Sequence, residues 1–405
     1  KCSAIIEAGT NLMPGFQLQW GNVRFVSPIL KRVVYPCLAG AGYFRGTGRR
    51  GLAVITYHGV LPEHYKPIDS GFDGSLITAE MFRRQLRLLK ATHEIIAPED
   101  LLSWCRNERE LPPRAALLTC DDGYLSNLTG MLPVLRDEGL RCLFFVTGAS
   151  VAEERTMLWH EELLLLFLRA RAGSFRICRE GVEIAGVLGA REDRRVLWWN
   201  AVQRLSQIDA ESRGSFLQAA HDHFGVERTL DFYLASYAET QRHFCLMTRT
   251  EVQQLDAAGM TIGAHTLSHP VLSQMSPELA WTEITQSRAQ LEAALGKPIW
   301  AFAYPFGDAG SVTPRVAAMA KQAGFDAAFM NIGGGLGTEL PPHAIPRVYV
   351  SAGMTLSEFE AHVSGFYQTL QRRVRRSPQP EVVGLTAVSP DLYPSPNQTD
   401  STTLP

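Results

Sequence analysis

Two aspartates, Asp121 and Asp122, stand side by side in LLTCDDGY, directly after a run of apolar residues. Adjacent carboxylates raise each other's cost of ionisation, so solvent, a basic side chain or a metal ion has to compensate them. A second group lies in GAHTLSHP, where His265 and His269 are four residues apart. Imidazoles at that spacing share one side of a helix, and they can also converge where a strand runs out into a loop. Two imidazoles and one carboxylate suit an open divalent-metal site with positions left for water and substrate. Each pattern alone is weak. An isolated Asp-Asp-Gly is usually a turn or a cap, and most such histidine pairs are surface or core residues.

The elements around these residues strengthen the case. The runs AVITYH (53–58), AALLTCDD (115–122), RCLFFVTG (141–148), TIGAHT (261–266), IWAFAYPF (299–306), DAAFMN (326–331) and AIPRVYV (344–350) read as buried strands. Helical patterns alternate with them. Ser276-Pro277-Glu278 supplies an N-cap with proline at the first helical position, and Thr248-x-x-Glu251 a capping box. Strand and helix in alternation predict a parallel α/β architecture. Both the aspartates and the histidines fall at the C-terminal ends of strands, the face on which parallel barrels collect catalytic residues. Two further strand ends carry Tyr304-Pro305-Phe306, candidate groove walls, and His58.

The alternation sets the expected domains: an N-terminal arm over 1–50, a barrel in two parts over 51–149 and 247–370, a helical insertion over 150–246, and a disordered tail rich in Pro, Ser and Thr over 371–405. His160 and the Trp198-Trp199 pair read as buried aromatic residues of the insertion. The 405 residues are 45% hydrophobic and 20% charged with a net charge of −2, which gives no reason to expect a nucleic acid or an anionic membrane as partner. No apolar run reaches the length of a membrane span. No signal region is visible, so the compartment, cytoplasmic or envelope-associated, stays open, as does the oligomeric state. Seven scattered cysteines form neither a zinc ribbon nor a disulfide framework.

TCDDG, HTLSH and FAYPFG together resemble the first three motifs of the polysaccharide deacetylases, the NodB-homology or carbohydrate esterase family four enzymes. Tyr57-His58-Gly59 followed by MFRRQLRLLK and then TCDDG is similar to the exopolysaccharide and poly-N-acetylglucosamine deacetylase subgroup. The resemblance spans about residues 50–365 and implies a distorted (β/α) barrel of seven or eight strands. It further implies Asp121 as general base, Asp122, His265 and His269 as metal ligands, and His58 as the catalytic histidine. The implied substrate is an acetylated glycan. Zinc is the expected metal, and cobalt, nickel or iron also suits the ligand types.

The chain departs from the family pattern at three places. Cys120 replaces an aromatic residue, Ala303 stands where many members carry the arginine that orients the base, and the late Leu-x-His motif is missing. Arg347, in IPRVYV, is the candidate to replace that arginine. Amide hydrolysis needs an activated water, oxyanion stabilisation and a proton for the departing amine. The backbone N–H of Tyr124 is the candidate oxyanion donor, and His58 the candidate proton donor. Two alternatives use the same residues: a non-catalytic glycan-binding barrel and an O-acetyl esterase. Phosphoryl transfer is disfavoured, since no phosphate-cradling glycine loop precedes a helix.

Overall fold

Strands that are buried on both faces read as continuous apolar runs; six of the seven runs above form one strand each, and the seventh, 344–350, forms two short ones. In the computed structural model, which describes residues 29–47, 51–61, 65, 68–69, 73–228, 244–332 and 340–374, the strands are β1 (Gly51–Tyr57), β2 (Val60–Leu61), β3 (Ile77–Thr78), β4 (Glu94–Ile95), β5 (Arg114–Cys120) and β6 (Leu143–Val146). An antiparallel hairpin, β7 (Gly173–Arg179) and β8 (Val182–Leu188), follows. The last strands are β9 (Thr261–Ala264), β10 (Ala301–Ala303), β11 (Ala327–Met330), β12 (Ile345–Pro346) and β13 (Val348–Tyr349). Most of the expected arm and nearly all of the expected tail lie outside the described residues. No described helix is long and apolar enough to cross a membrane.

The main sheet runs β12-β11-β10-β9-β6-β5-β1-β13, with β4 against β5. Every pair in it is parallel. Its two ends belong to one short segment. Ile345 and Pro346 pair with β11, while Val348 and Tyr349 pair with β1. Residues 345–349 therefore close the sheet into a barrel, and Arg347 sits at the point of closure.

Alternation along the strands divides the core in two. Ala53, Ile55, Tyr57, Leu118, Phe144 and Ile262 pack outward under the helices. Leu52, Val54, Ala115, Leu117, Phe145, Ala301, Ala303, Ala327 and Phe329 form a second cluster inside the barrel. The many alanines keep this interior narrow. Period-two geometry continues the inward row of β5 through Thr119 to Asp121, and that of β9 through Gly263 to His265. The site residues are thus the top of the barrel's interior filling.

The outer helices start where the sequence says. The Glu251 carboxylate accepts from the Thr248 amide at 2.8 Å, and Ser276 Oγ accepts from Leu279 N at 3.3 Å. Residues 150–246 hold helices Trp159–Arg169, Arg191–Leu205 and Ala210–Phe224 with a core of their own, including Leu163, Phe167, Ile177, Leu188, Val202 and Phe216. The β7–β8 hairpin among these helices is a feature the sequence reading missed. Its Glu180-Gly181 turn, with φ of 51° and 73°, is a hairpin signal; Ile177 faces Ile184 across it, and Phe175 and Leu188 are buried in the same cluster.

The tight interior makes a prediction. A Cβ on Gly263 would lie 2.6 Å from two atoms of the Phe145 ring and 3.1 Å from the Ala301 carbonyl oxygen. Gly263→Ala should cost about 1–3 kcal/mol by overpacking, read from urea denaturation. An unchanged midpoint would contradict this packing.

Candidate active site

Asp121 is the inward residue just past β5, and Arg347 reaches it across the barrel. Arg347 Nη1 donates to Asp121 Oδ1 at 2.7 Å and Nη2 to Oδ2 at 2.6 Å, a two-pronged pair in which both side chains are buried. The same guanidinium donates to Thr119 Oγ1 at 3.3 Å and to the Met330 carbonyl at 3.4 Å. The rings of Phe145 and Phe329 lie 5.4 and 5.9 Å from its carbon. Burial pushes the Asp121 carboxyl up, and the pull of Arg347, joined by His265 and His58, outweighs it, leaving Asp121 below the usual carboxylate range. Arg347 was legible in the sequence as a candidate partner, and it stands where Ala303 leaves a gap.

Asp122 turns the other way, with φ of 73°. Its Oδ1 lies 3.4 Å from His265 Nε2 and 3.2 Å from His269 Nε2. All three side chains are buried, with their ligand-type atoms within 4.8 Å of one another. His265 Nδ1 is 2.7 Å from the Ala303 carbonyl oxygen, which can only accept, so Nδ1 carries a proton. In the neutral ring Nε2 is then a lone pair facing a carboxylate oxygen. His269 Nε2 is also buried and makes no well-directed hydrogen bond. Acceptors turned toward one another at this distance need a cation between them. Ligands at about 2.0–2.1 Å from a tetrahedral ion are about 3.3–3.4 Å apart, so the donor set and the spacing fit a divalent metal. Burial pushes the Asp122 carboxyl up, but the facing imidazoles of His265 and His269 prevail and hold it well below the usual range.

Backbone strain gathers here. Of the six described non-glycine residues with positive φ, four belong to this site: Asp122, Thr266 at 63°, His269 at 58° and Phe306 at 61°. For β-branched Thr266 that region is especially unfavourable. The loop offsets the strain with bonds of its own. Thr266 Oγ1 donates to the His265 carbonyl at 2.6 Å and accepts from His269 N at 3.0 Å, while Glu283 accepts from Ser268 N at 2.8 Å.

The remaining expected residues divide. Attraction from His58 is among the smaller influences that lower Asp121 and Asp122. His58 Nδ1 is buried with no partner among the described residues, and its ring meets Tyr349 edge-on at 5.4 Å. The Tyr124 backbone N–H donates to no acceptor among the described residues, while the Tyr124 hydroxyl donates to Glu161 Oε1 at 2.6 Å. Phe306 packs 5.0 Å from His269 and 5.2 Å from Trp199, as a wall of the site. Pro305 is buried. Tyr304 is fully buried with its hydroxyl on the His343 carbonyl at 2.9 Å, so it is a core residue and no groove wall. His160 and Glu161 are also at the site, His160 Nε2 lying 3.1 Å from His269 Nδ1. The sequence reading left His160 in the insertion core. Its polar, charged WHEE turn at a helix start was the signal available.

The pair at Arg347 can be tested by stability. Arg347→Met leaves a buried charge uncompensated and should cost about 3–5 kcal/mol, and Asp121→Asn in the same chain should recover part of it. Because both aspartates lie below their ordinary values, the stability they contribute is complete above about pH 4. It is lost as the pH falls through their folded values. In Arg347→Met the Asp121 share of that acid loss should vanish. Denaturation midpoints between pH 3 and 7 report both effects.

Residues 224–328 match the family model described as polysaccharide deacetylase, a stretch that includes His265 and His269 but not the aspartates. No curated protein matches the chain. Among solved structures, IcaB from Ammonifex degensii is 18% identical, covering 78% of this chain and 98% of its own with a TM-score of 0.48. The Streptococcus pyogenes deacetylase PplD, solved with acetate, is 14% identical over 77% and 98%, with a TM-score of 0.47. A de-N-acetylase from Aggregatibacter actinomycetemcomitans is 13% identical over 77% and 99%, also at 0.47. The family match over 224–328 takes in two of the three residues of the Asp122–His265–His269 cluster, so that stretch of the chain is similar to the polysaccharide deacetylases, hydrolases of amide bonds outside peptides.

Proposed function

We propose that this protein is a metal-dependent deacetylase that removes N-acetyl groups from a polysaccharide or oligosaccharide containing N-acetylglucosamine, of the exopolysaccharide type. The observation that carries the reading is the division between two adjacent aspartates. Asp122 joins the two histidines, whereas Asp121 is held apart by Arg347. One carboxylate is thereby free to hold an ion and the other to move a proton.

Asp122, His265 and His269 would hold the metal, which when bound supplies Lewis acidity that makes a water more acidic and polarises an acyl oxygen. Asp121 accepts the proton of the attacking water. Arg347 uses one lone pair on each of its oxygens, and each oxygen keeps another for this work. The same guanidinium keeps Asp121 ionised, at the cost of making it a weaker base. As the water oxygen adds to the acetyl carbon, the Tyr124 N–H donates to the developing oxyanion. His58 then gives a proton to the nitrogen as the carbon–nitrogen bond breaks, leaving acetate and a free sugar amine. Phe306 and Trp199 offer an apolar wall to the sugar face.

The test is acetate release from β-1,4- and β-1,6-linked N-acetylglucosamine oligomers, with and without zinc or cobalt. Wild type should release acetate in a metal-dependent way, and Asp121→Asn should slow it by about 10²–10⁴-fold. His58→Ala should fall in the same range if it is the acid. Acetate from O-acetylated but never N-acetylated glycans would move the assignment to an esterase. Full activity in Asp121→Asn would contradict the assignment of the base.

A further inference from the structure

The insertion helix Trp159–Arg169 begins against both loops of the site, and its first three residues each make a separate contact there. Trp159 Nε1 donates to the His269 carbonyl at 3.2 Å. His160 Nε2 lies 3.1 Å from His269 Nδ1. Glu161 Oε1 accepts from the Tyr124 hydroxyl, two residues beyond Asp122, at 2.6 Å. Successive helical side chains diverge by about 100°, so one turn can reach a loop after β9 and a loop after β5 together. The insertion grips the histidine loop twice more, through Arg213 Nη2 on Ser268 Oγ and through Ser206 Oγ, which accepts from Val271 N at 3.0 Å.

The His160–His269 contact decides a tautomer. A neutral imidazole has one N–H and one lone pair. If His269 kept its proton on Nε2, that nitrogen would be closed to a cation. For Nε2 to face Asp122 as a lone pair, Nδ1 must carry the proton and have an acceptor. Among the described residues His160 Nε2 is that acceptor. His265 meets the same requirement with the Ala303 carbonyl. His160 is itself buried, and its Nδ1 has no partner among the described residues. Leaving a buried polar atom unpaired costs about 1–3 kcal/mol, so the ring is held there against a local penalty.

We propose that His160 is a positioning residue for the metal centre: by accepting from His269 Nδ1 it fixes the tautomer in which His269 Nε2 is a ligand. The insertion then belongs to the site's outer shell and is more than a cover over the groove. This inference rests on the metal-site reading above, and it extends that reading to a residue outside the matched family segment.

The experiment measures zinc affinity by competition with a chelating dye, and the visible spectrum of the cobalt-loaded protein, for the full chain and its variants. Outer-shell partners are worth about 10–100-fold in metal affinity. His160→Phe should lose that much and shift the cobalt bands, with near-ultraviolet circular dichroism checking the fold. His160→Gln keeps an acceptor in reach and should stay within about threefold of wild type. A folded His160→Phe with wild-type affinity and spectrum would overturn the proposal. If His160→Phe does not fold, His160→Gln decides: retained affinity supports the acceptor role, and a loss above tenfold overturns it. A wild-type chain that binds no divalent metal overturns both this proposal and the metal-site reading. A chain that binds metal with the expected variant pattern but releases no acetate overturns the substrate assignment alone.

Discussion

Arg347 and Asp121 form the pair on which barrel closure and site chemistry both depend. The segment 345–349 joins the two ends of the sheet, β12 to β11 on one side and β13 to β1 on the other. Its central side chain points inward and finds the one carboxylate that the Asp122–His265–His269 cluster leaves aside. A guanidinium fully out of water is tolerable only with its donors satisfied. Here Asp121, Thr119 and the Met330 carbonyl accept from four of its five N–H groups, and two aromatic rings lie beneath. Adjacent aspartates can both stay charged when each has its own compensation, Arg347 for Asp121 and, for Asp122, the histidines and the cation they are proposed to hold.

The rest of the site is arranged around that separation. Narrow strands filled by alanine and Gly263 bring the barrel walls close, so one arginine can span the interior. Four strained backbone positions aim Asp122, His269 and Phe306 and turn the loop at Thr266. Such conformations cost about 1–3 kcal/mol each and persist only where surrounding bonds over-determine them. Glu283, Thr266 and the insertion helix supply those bonds.

Much of this was legible in the residues. Buried parallel strands announce themselves as apolar runs, and all seven runs became strands. The chemistry-bearing pairs fell at strand ends because period two carries an inward row out of the barrel and into the loop. Arg347, in the run IPRVYV, could be singled out as the candidate to replace the arginine missing at Ala303. Other features were hidden for physical reasons. Tyr304 has the same sequence surroundings as a groove wall, and only the reach of its hydroxyl to the His343 carbonyl shows it to be core. The β7–β8 hairpin was masked by the long helical patterns on either side. His160 and Glu161 lie more than a hundred residues from His269 and near forty from Tyr124, so their meeting depends on how the insertion folds back.

The most direct measurement is anomalous diffraction at the zinc edge from crystals grown with zinc. The account predicts one buried peak at about 2.0–2.2 Å from Asp122, His265 Nε2 and His269 Nε2, with Asp121 outside the coordination sphere and still paired to Arg347. A peak ligated by both aspartates, or no peak between these three residues, would contradict the division of labour on which the account rests.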